Sequence, residues 1–583
     1  MFRVSSLPLL CLGLLLPCYY CSSLDANDSL FSNPILLGWN PDPSCTLAPE
    51  WDNTTFCTTS SFLTFPGIPI YASKDLAHWK FASHALSRPE QLPELSNNGQ
   101  QNDGVWASTF RFRDGTFYLI TSYVAMDDSE PIILLFTTTD PFDDTAWSDP
   151  LRVENPANDI DPDIFWDDDG KVYMTVASGM YISEIDLTTG EAGEPFTVWN
   201  GTGGRNPEAP HLYKKDDFYY LLISEGGTET NHSATIARSK DIRGPYEGCP
   251  DNPILTAKNT DNFFQTVGHA DLFTDSDGNW WAVALSTRSG PEWEFYPMGR
   301  ETVLLSVTWE KGGWPILDEA DGGGEGPLPQ VGVEPPGNGP LVDVSEDLEF
   351  PAGSEIPKQF VFWRPPKESL FAISPPGHPK TLQISPSRVN LTGDAAFEPS
   401  VDGLGFVARR QTASTFDFSV DVAFNPTEAY EECGVSIFLT QLQHIDLGVV
   451  MLPDQSNNNT LVPMLRLRAE ASGKPGTPVP ETKLVPIPSP WMEDKIRFFV
   501  TATTDSRYIF SAGPATMPWK EERMGSASAA IVSGGSGPFT GTLVGVYATS
   551  NGGEGTTPAF FSRWRYNMVS QELSDNGFVP ADG

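Results

Sequence analysis

Five segments of this chain share one layout, and that repeat constrains the fold more than any other feature. Each has a polar or acidic opening, a short apolar strand, a charged turn, and an aromatic-rich strand ending in small polar residues. They read DPSCTLAPEWDNTTFCTTSS from Asp42, ASTFRFRDGTFYLITS from Ala107, DPDIFWDDDGKVYMTVAS from Asp161, EAPHLYKKDDFYYLLIS from Glu208 and HADLFTDSDGNWWAVALS from His269. An Asp-Gly or Asp-Asp turn between β-branched and aromatic residues predicts a hairpin in each. A looser outer element follows, as in IYASKDLAHWKF, LFTTTDPFDDTAW, TIARSKDIRGPYEG and LLSVTWEKGGWPIL. Units recurring roughly every 45–65 residues, each worth about four strands, predict propeller blades instead of a solenoid. The first strand of each blade lines the central axis, so Asp42, Asp161, Glu208 and His269 are predicted to meet at one funnel. Four ionisable groups in one concavity push each other's pKa values apart. The acidic turn residues Asp114, Asp167, Asp168, Asp169, Asp216, Asp217, Asp275 and Asp277 belong to the hairpins themselves.

The propeller pattern covers residues 31 to about 320, and the composition then shifts. Residues 321–345 form a Gly/Pro-rich linker. Over residues 346–575, stretches such as FDFSVDVAFNP, CGVSIFLTQLQHIDLGVVML, KIRFFVTATT and GTLVGVYATS alternate as strands of a sandwich do. The fold class expected is therefore all-β, a five-bladed β-propeller followed by a β-sandwich. With 51 glycines, 52 prolines and 11 % aromatics, the composition suits many short strands joined by tight turns. No catalytic constellation is visible in the second half, which reads as a supporting or carbohydrate-contacting domain.

A formal net charge of −40 disfavours nucleic acid and anionic membrane surfaces as partners, because both require clustered Lys and Arg. Residues 1–22 combine an early arginine, an apolar run too short to span a bilayer and small residues suited to cleavage, which predicts a signal peptide and a secreted, extracellular chain. No later stretch is long and apolar enough for a membrane helix. Of seven cysteines, Cys45, Cys57, Cys249 and Cys433 lie beyond that leader. Cys45 and Cys57 could bridge neighbouring strands in an oxidising compartment. The absence of a C-x-x-C pair there argues against zinc. Sequons at Asn27, Asn53, Asn200, Asn231, Asn390 and Asn458 agree with export.

The stretch GWNPDPSC, residues 38–45, sets Asp42 between two prolines. Proline fixes its own φ and restricts the residue before it, so Asp42 is held stiffly. NPDPS, SSFLTFPGIPIYASKDLAHW, IDPDIFWDDDGKVY, PEAPHLYK, GHADLFTDSDGNWWAV and GRETVLLSVTWEKGGWPIL, in that order, resemble glycoside hydrolase family 43, the five-bladed propeller β-xylosidases and α-L-arabinofuranosidases. FWRPPKESLFAISPPGHPKTLQISPSRVNLTG and the strands after it are similar to the concanavalin-like C-terminal domain of that family's β-xylosidase branch.

The resemblance implies roles. Asp42 would be the general base, Glu208 the general acid, and Asp161 the third carboxylate that orients the acid and raises its pKa; Asp163 is a second candidate for that place. Inversion needs a base to activate water and a protonated acid for the leaving oxygen, about 6.5–9.5 Å apart. Glu208 is thus expected to hold a proton, Asp161 and Asp42 to be ionised. Phe62 and Trp106 would be apolar walls and Arg288 a hydrogen-bonding clamp on the terminal sugar, with Arg300 a structural ion-pair partner. His269 would lie near the axis, where a structural calcium is a further expectation, although catalysis requires no cofactor. The loop 87–104 would build the rim. The implied substrate is a hemicellulose polysaccharide or oligosaccharide, from which terminal α-L-arabinofuranosyl or β-D-xylosyl units are removed. Two alternatives are a non-catalytic polysaccharide-binding propeller, which would lack one of the carboxylates, and a retaining fructan-cleaving propeller, whose nucleophile motif reads Asn-Asp-Pro where this chain has NPDPS.

Overall fold

The computed structural model describes residues 29–127, 129–393, 398–534 and 539–581. The predicted leader and the Asn27 sequon lie outside them. The chain is all-β: a five-bladed propeller followed by a concanavalin-like sandwich. The innermost strands of the blades are Ser44–Ala48, Gly104–Arg113, Asp163–Trp166, Glu208–Lys215 and Phe264–Thr274. They touch in cyclic order, the fifth returning to the first. Each blade is an antiparallel sheet in chain order from the axis outward.

The turn chemistry accounts for these hairpins. Asp114 and Gly115 both have positive φ, 50° and 75°, between the paired residues Arg113 and Thr116, as a two-residue turn in a twisted hairpin requires. Asp275 accepts from the Asp277 and Asn279 amides and the Trp281 indole, so this acidic turn residue ties its own hairpin together. Cys45 and Cys57 face each other on adjacent strands and are disulfide-bonded. The ring closes through the start of the described chain. Ser29–Ser32 pairs with Gly323–Gly326, and the Ile35 amide donates to the Thr302 carbonyl of the fifth blade.

The sandwich consists, among the described residues, of a nine-stranded and an eight-stranded sheet. Its core is filled by alternating inward residues such as Phe418, Val435, Ile445, Phe498 and Trp564, each at most 1 % exposed. The segment between the two domains is no free tether. The Phe81 amide donates to the Pro340 carbonyl, the Val342 amide to the Trp79 carbonyl, and Lys80 pairs with Glu334. Thr64–Phe65, from the first blade, joins the sandwich as an edge strand against Phe362 and Trp363. A single apolar cluster then runs from Phe56 and Phe110 in the propeller to Phe406, Phe438 and Tyr547 in the sandwich. Burial of that shared surface fixes the two domains against each other.

Candidate active site

The axial mouth of the propeller holds a cavity of about 70 Å³ lined by Asp42, Asp161, Glu208, His269, Arg300, Thr228, Phe62, Trp106, Ala107, Ile160 and Phe539. Larger surface concavities exist, and one of about 700 Å³ lies over the outer strands of the third blade, away from the axial carboxylates. Charge convergence, not volume, marks the site.

The backbone aims these groups. Asp42, Asp161, Ala209 and His269 all have positive φ, between 50° and 55°, and the innermost strands of the fourth and fifth blades are bulged at Glu208–His211 and Gly268–Asp271. Bulges and left-handed residues break the strand's alternation and turn a side chain to a new direction. At Asp42 this differs from the expectation. A residue before proline is biased to extended backbone, yet its φ is 54°. What offsets the strain is on the carboxylate: Arg300 Nη1 donates to Oδ1 at 2.8 Å, Ser60 Oγ donates to Oδ2 at 2.5 Å, and His269 Nδ1 lies 3.6 Å from Oδ1.

Electrostatics sort the carboxyls. Burial pushes Asp42 up, but Arg300, His269 and Ser60 outweigh it and hold the group below the usual carboxylate range. Asp161, whose Oδ2 accepts from the Ala209 amide at 3.1 Å, is pushed well up by burial and by the neighbouring Glu208 and Asp42. Glu208 is raised by burial, yet the contact with His232 Nε2, 3.1 Å from Oε1, together with His269, brings it below its ordinary value. In the free pocket, then, the proton expected on Glu208 sits toward its neighbours. Burial pushes His269 down to about 4, so it is neutral above that pH.

Arg288 is not at the cavity, which corrects the sugar-clamp expectation. It is 4 % exposed and forms a two-point ion pair with Glu301, at 2.7 and 3.0 Å, while Nη1 donates to Gln571 Oε1 and to the Glu572 carbonyl of the sandwich. It is an interdomain brace. Arg300, read from sequence as structural, occupies the pocket instead. Its Nη1 also reaches Thr228 Oγ1 at 3.2 Å, and its Nη2 donates to the Phe539 carbonyl at 3.2 Å. The alternative Asp163 is fully buried below the cavity, 3.0 Å from Arg111 and 3.2 Å from His211.

The same axis is where a structural calcium was expected beside His269. Calcium takes six to eight oxygen ligands. Among the described residues no group of three or more His, Cys, Asp or Glu is placed to hold a metal ion. On the axis the Arg111 guanidinium already lies between Asp163 and Asp271, at 3.0 and 2.7 Å, and holds Asp271 down to about 2. His269 lines the cavity and lies beside Asp42.

The apolar side is an aromatic triad. Phe62, Trp106 and Phe539 have ring centroids 5.8–6.0 Å apart, and the Arg300 guanidinium lies 5.7 Å from the Phe62 ring and 5.6 Å from the Phe539 ring. Phe539 comes from the sandwich. Its carbonyl also accepts from Trp39 Nε1, and its amide donates to Asn102 Oδ1 at 3.4 Å. Asn102 belongs to loop 87–104, and its carbonyl accepts from Trp106 Nε1 at 3.0 Å, so that loop connects the pocket wall to the second domain. Sequence reasoning missed Phe539, His232, Thr228 and Ser60; GTETNH, which holds Thr228 and His232, had only its place after a blade strand as a signal.

A propeller whose axis gathers two aspartates, a glutamate and an arginine beside an aromatic wall is the architecture of a glycoside hydrolase, and the comparisons agree. Residues 31–315 match the model for glycosyl hydrolases family 43, and residues 348–567 match the β-xylosidase C-terminal concanavalin A-like domain. The chain belongs to glycosyl hydrolase family 43. It is 33 % identical over 551 residues to the non-reducing end α-L-arabinofuranosidase BoGH43B of Bacteroides ovatus, covering 92 % of this chain and 95 % of that protein. It is 29 % identical to the xylosidase/arabinosidase 43B of Humicola insolens, over 91 % of this chain and 96 % of the relative. Among solved structures, the Bacteroides ovatus xyloglucan-locus GH43B superposes with a TM-score of 0.80 at 33 % identity, over 93 % of this chain and all of that one. A xylan β-1,4-xylosidase from Bacillus halodurans gives 0.79 at 26 % identity, over 92 % of this chain and all of that one.

Proposed function

We propose that this enzyme is an exo-acting, inverting hydrolase that releases terminal α-L-arabinofuranosyl or β-D-xylosyl units from arabinoxylan or xylo-oligosaccharides. The carrying observation is the meeting of Asp42, Asp161 and Glu208, from three blades, in a single small cavity. Asp42 is the base: Arg300 keeps it ionised and fixes its orientation, and it takes a proton from the attacking water. Glu208 is the acid, delivering a proton to the glycosidic oxygen as the C1–O bond breaks and the water oxygen bonds C1 from the opposite face. Asp161 sits beside Glu208, and two adjacent buried carboxyls do not readily ionise together, which pushes Asp161 well up. Phe62, Trp106 and Phe539 offer aromatic faces to sugar C–H surfaces. The likeness to a relative named as an α-L-arabinofuranosidase supports the arabinofuranoside as the substrate over the xyloside.

The proposed chemistry requires no cofactor. The disulfide between Cys45 and Cys57 supports secretion, as do the predicted leader and the exposed sequon residues Asn53, Asn200, Asn231 and Asn458. The non-catalytic reading requires a missing carboxylate, and all three are present. Glu208→Gln is expected to lower turnover of an oligosaccharide by about 10²–10⁴-fold with little change in binding measured calorimetrically. Unchanged turnover would remove Glu208 as the acid. Paired assays on the 4-nitrophenyl α-L-arabinofuranoside and β-D-xyloside, with arabinoxylan alongside, identify the sugar.

A further inference from the structure

His232 is the buried titratable group nearest to Glu208 that the proposed chemistry does not use. Its ring is fully buried. Nδ1 lies 3.0 Å from the Thr266 carbonyl oxygen, and Nε2 lies 3.1 Å from Glu208 Oε1. A carbonyl can only accept, so Nδ1 must carry a hydrogen. Nε2 makes no aligned hydrogen bond in the free pocket, and Glu208 Oε1, at 3.1 Å, is the acidic oxygen it lies against, so a single proton placed between the two would satisfy both.

We infer that His232 is a positioning residue for the general acid, sharing one proton with Glu208 and keeping it loaded for transfer to the leaving oxygen. This inference rests on the reading of Glu208 as the acid.

A second observation is independent of the first. The ring packs directly on Gly268, where an added Cβ would come within 2.6 Å of its Cγ and Nδ1. The same bulged strand presents Thr266, at a φ of 58°, with its carbonyl toward Nδ1. The fifth blade thus fixes the imidazole's place and tautomer with backbone alone. The charged and titratable groups acting on the pair are Asp42 and His269 across the pocket and Asp161 beside Glu208. Its histidine neighbours lower Glu208 in spite of its burial, so the imidazole acts directly on the acid.

When sugar displaces water, burial favours the neutral pair over the charged one. The proton then moves from Nε2 to Oε1, and Glu208 passes it to the leaving oxygen as the glycosidic bond breaks. Asp42 gains the proton lost by water. Release of that proton to solvent and uptake of one by the His232–Glu208 pair restore the starting state, so the cycle consumes only water.

The test compares His232→Gln with the parent enzyme on two leaving groups, with folding checked by circular dichroism and thermal melting. Aryl leaving groups such as 2,4-dinitrophenol depart without acid assistance, whereas a sugar hydroxyl does not. We expect kcat/KM on an oligosaccharide to fall about 10²-fold or more, with only a few-fold loss on the dinitrophenyl glycoside. The basic limb of the pH profile should move, because Glu208 then holds its proton without the imidazole that acts on it in the parent enzyme. Equal losses on both substrates with an unmoved basic limb would overturn the inference. Glu208→Gln on the same substrates separates the two readings: if it discriminates between leaving groups and His232→Gln does not, only the role of His232 fails; if neither does, the acid assignment fails with it. Should His232→Gln not fold, nitrogen NMR of histidine-labelled parent enzyme decides. A protonated Nδ1 at neutral pH is expected, and a neutral ring with its hydrogen on Nε2 and none on Nδ1 would refute the shared proton.

Discussion

Asp42 shows how much chemistry rests on one side chain. Its left-handed backbone is disfavoured, its carboxylate is buried, and both costs are offset through Arg300. Replacing Arg300 by Met removes the largest part of that offset, leaving His269 and Ser60 to act against burial, so the Asp42 pKa rises. Because the base must be ionised, the acidic limb of kcat/KM is expected to move to higher pH, with about 10–100-fold lost at neutral pH from a charge-assisted bond worth roughly 1.5–3 kcal/mol. A pH–rate profile checks this; an unmoved acidic limb would detach Arg300 from the base. Arg288 and Arg300 show where the sequence stopped being informative. One ends the strand Trp280–Arg288 and the other immediately precedes Glu301–Thr308, so both lie at the same end of the fifth blade. Which of them faces the axis depends on Glu301, Gln571 and Phe539, partners that lie up to hundreds of residues away. Asp161 and Asp163, two apart, raised the same ambiguity, and Arg111, in another blade, resolves it by engaging Asp163.

At the scale of elements, the hairpins were legible because an Asp-Gly turn between aromatic runs is a local signal. The five opening motifs gave the blade starts within a few residues. The bulges were only partly legible: Pro210 in EAPHLY lacks a ladder donor and Gly268 in GHADLF is a residue found at bulges, but neither says which way the neighbouring side chain turns. Phe539 was equally hidden: it follows GGSGP, a run without periodicity, and gains its place only when the sandwich docks. Its removal is expected to act on binding. Phe539→Ala should raise KM on short oligosaccharides by about tenfold, in keeping with the roughly 1–3 kcal/mol of a buried aromatic contact, while kcat changes less. Steady-state kinetics decide, and an unchanged KM would take Phe539 out of the sugar-contacting wall.

At the scale of the whole molecule, a propeller followed by a sandwich was legible in the strand patterns, but the union of the two domains was not. Arg288, the added strand Thr64–Phe65 and the shared apolar cluster make one body of two repeats of β-structure. That seam carries a pH dependence. Glu572, whose carbonyl accepts from Arg288, is pushed up to about 7 by burial first and by Asp505 next, from an ordinary value of 4.5. The folded state therefore binds more protons than the unfolded state between those values, and its contribution to stability falls as pH rises from about 4.5 to about 7. Glu572→Gln, which imitates the protonated form, should raise the melting temperature at pH 8, by about 1–3 kcal/mol in stability, and leave it unchanged near pH 4. Equal shifts at both pH values would show that Glu572 does not titrate at the seam.

The central claim is that carboxylates from three separate blades activate water on one face of a terminal sugar and protonate the leaving oxygen on the other. Proton NMR of the first-formed sugar, followed before mutarotation, tests it most directly. An α-L-arabinofuranoside should release the β anomer first, and a β-D-xyloside the α anomer. Release of the sugar in the substrate's own configuration would require a covalent glycosyl intermediate and would contradict the account.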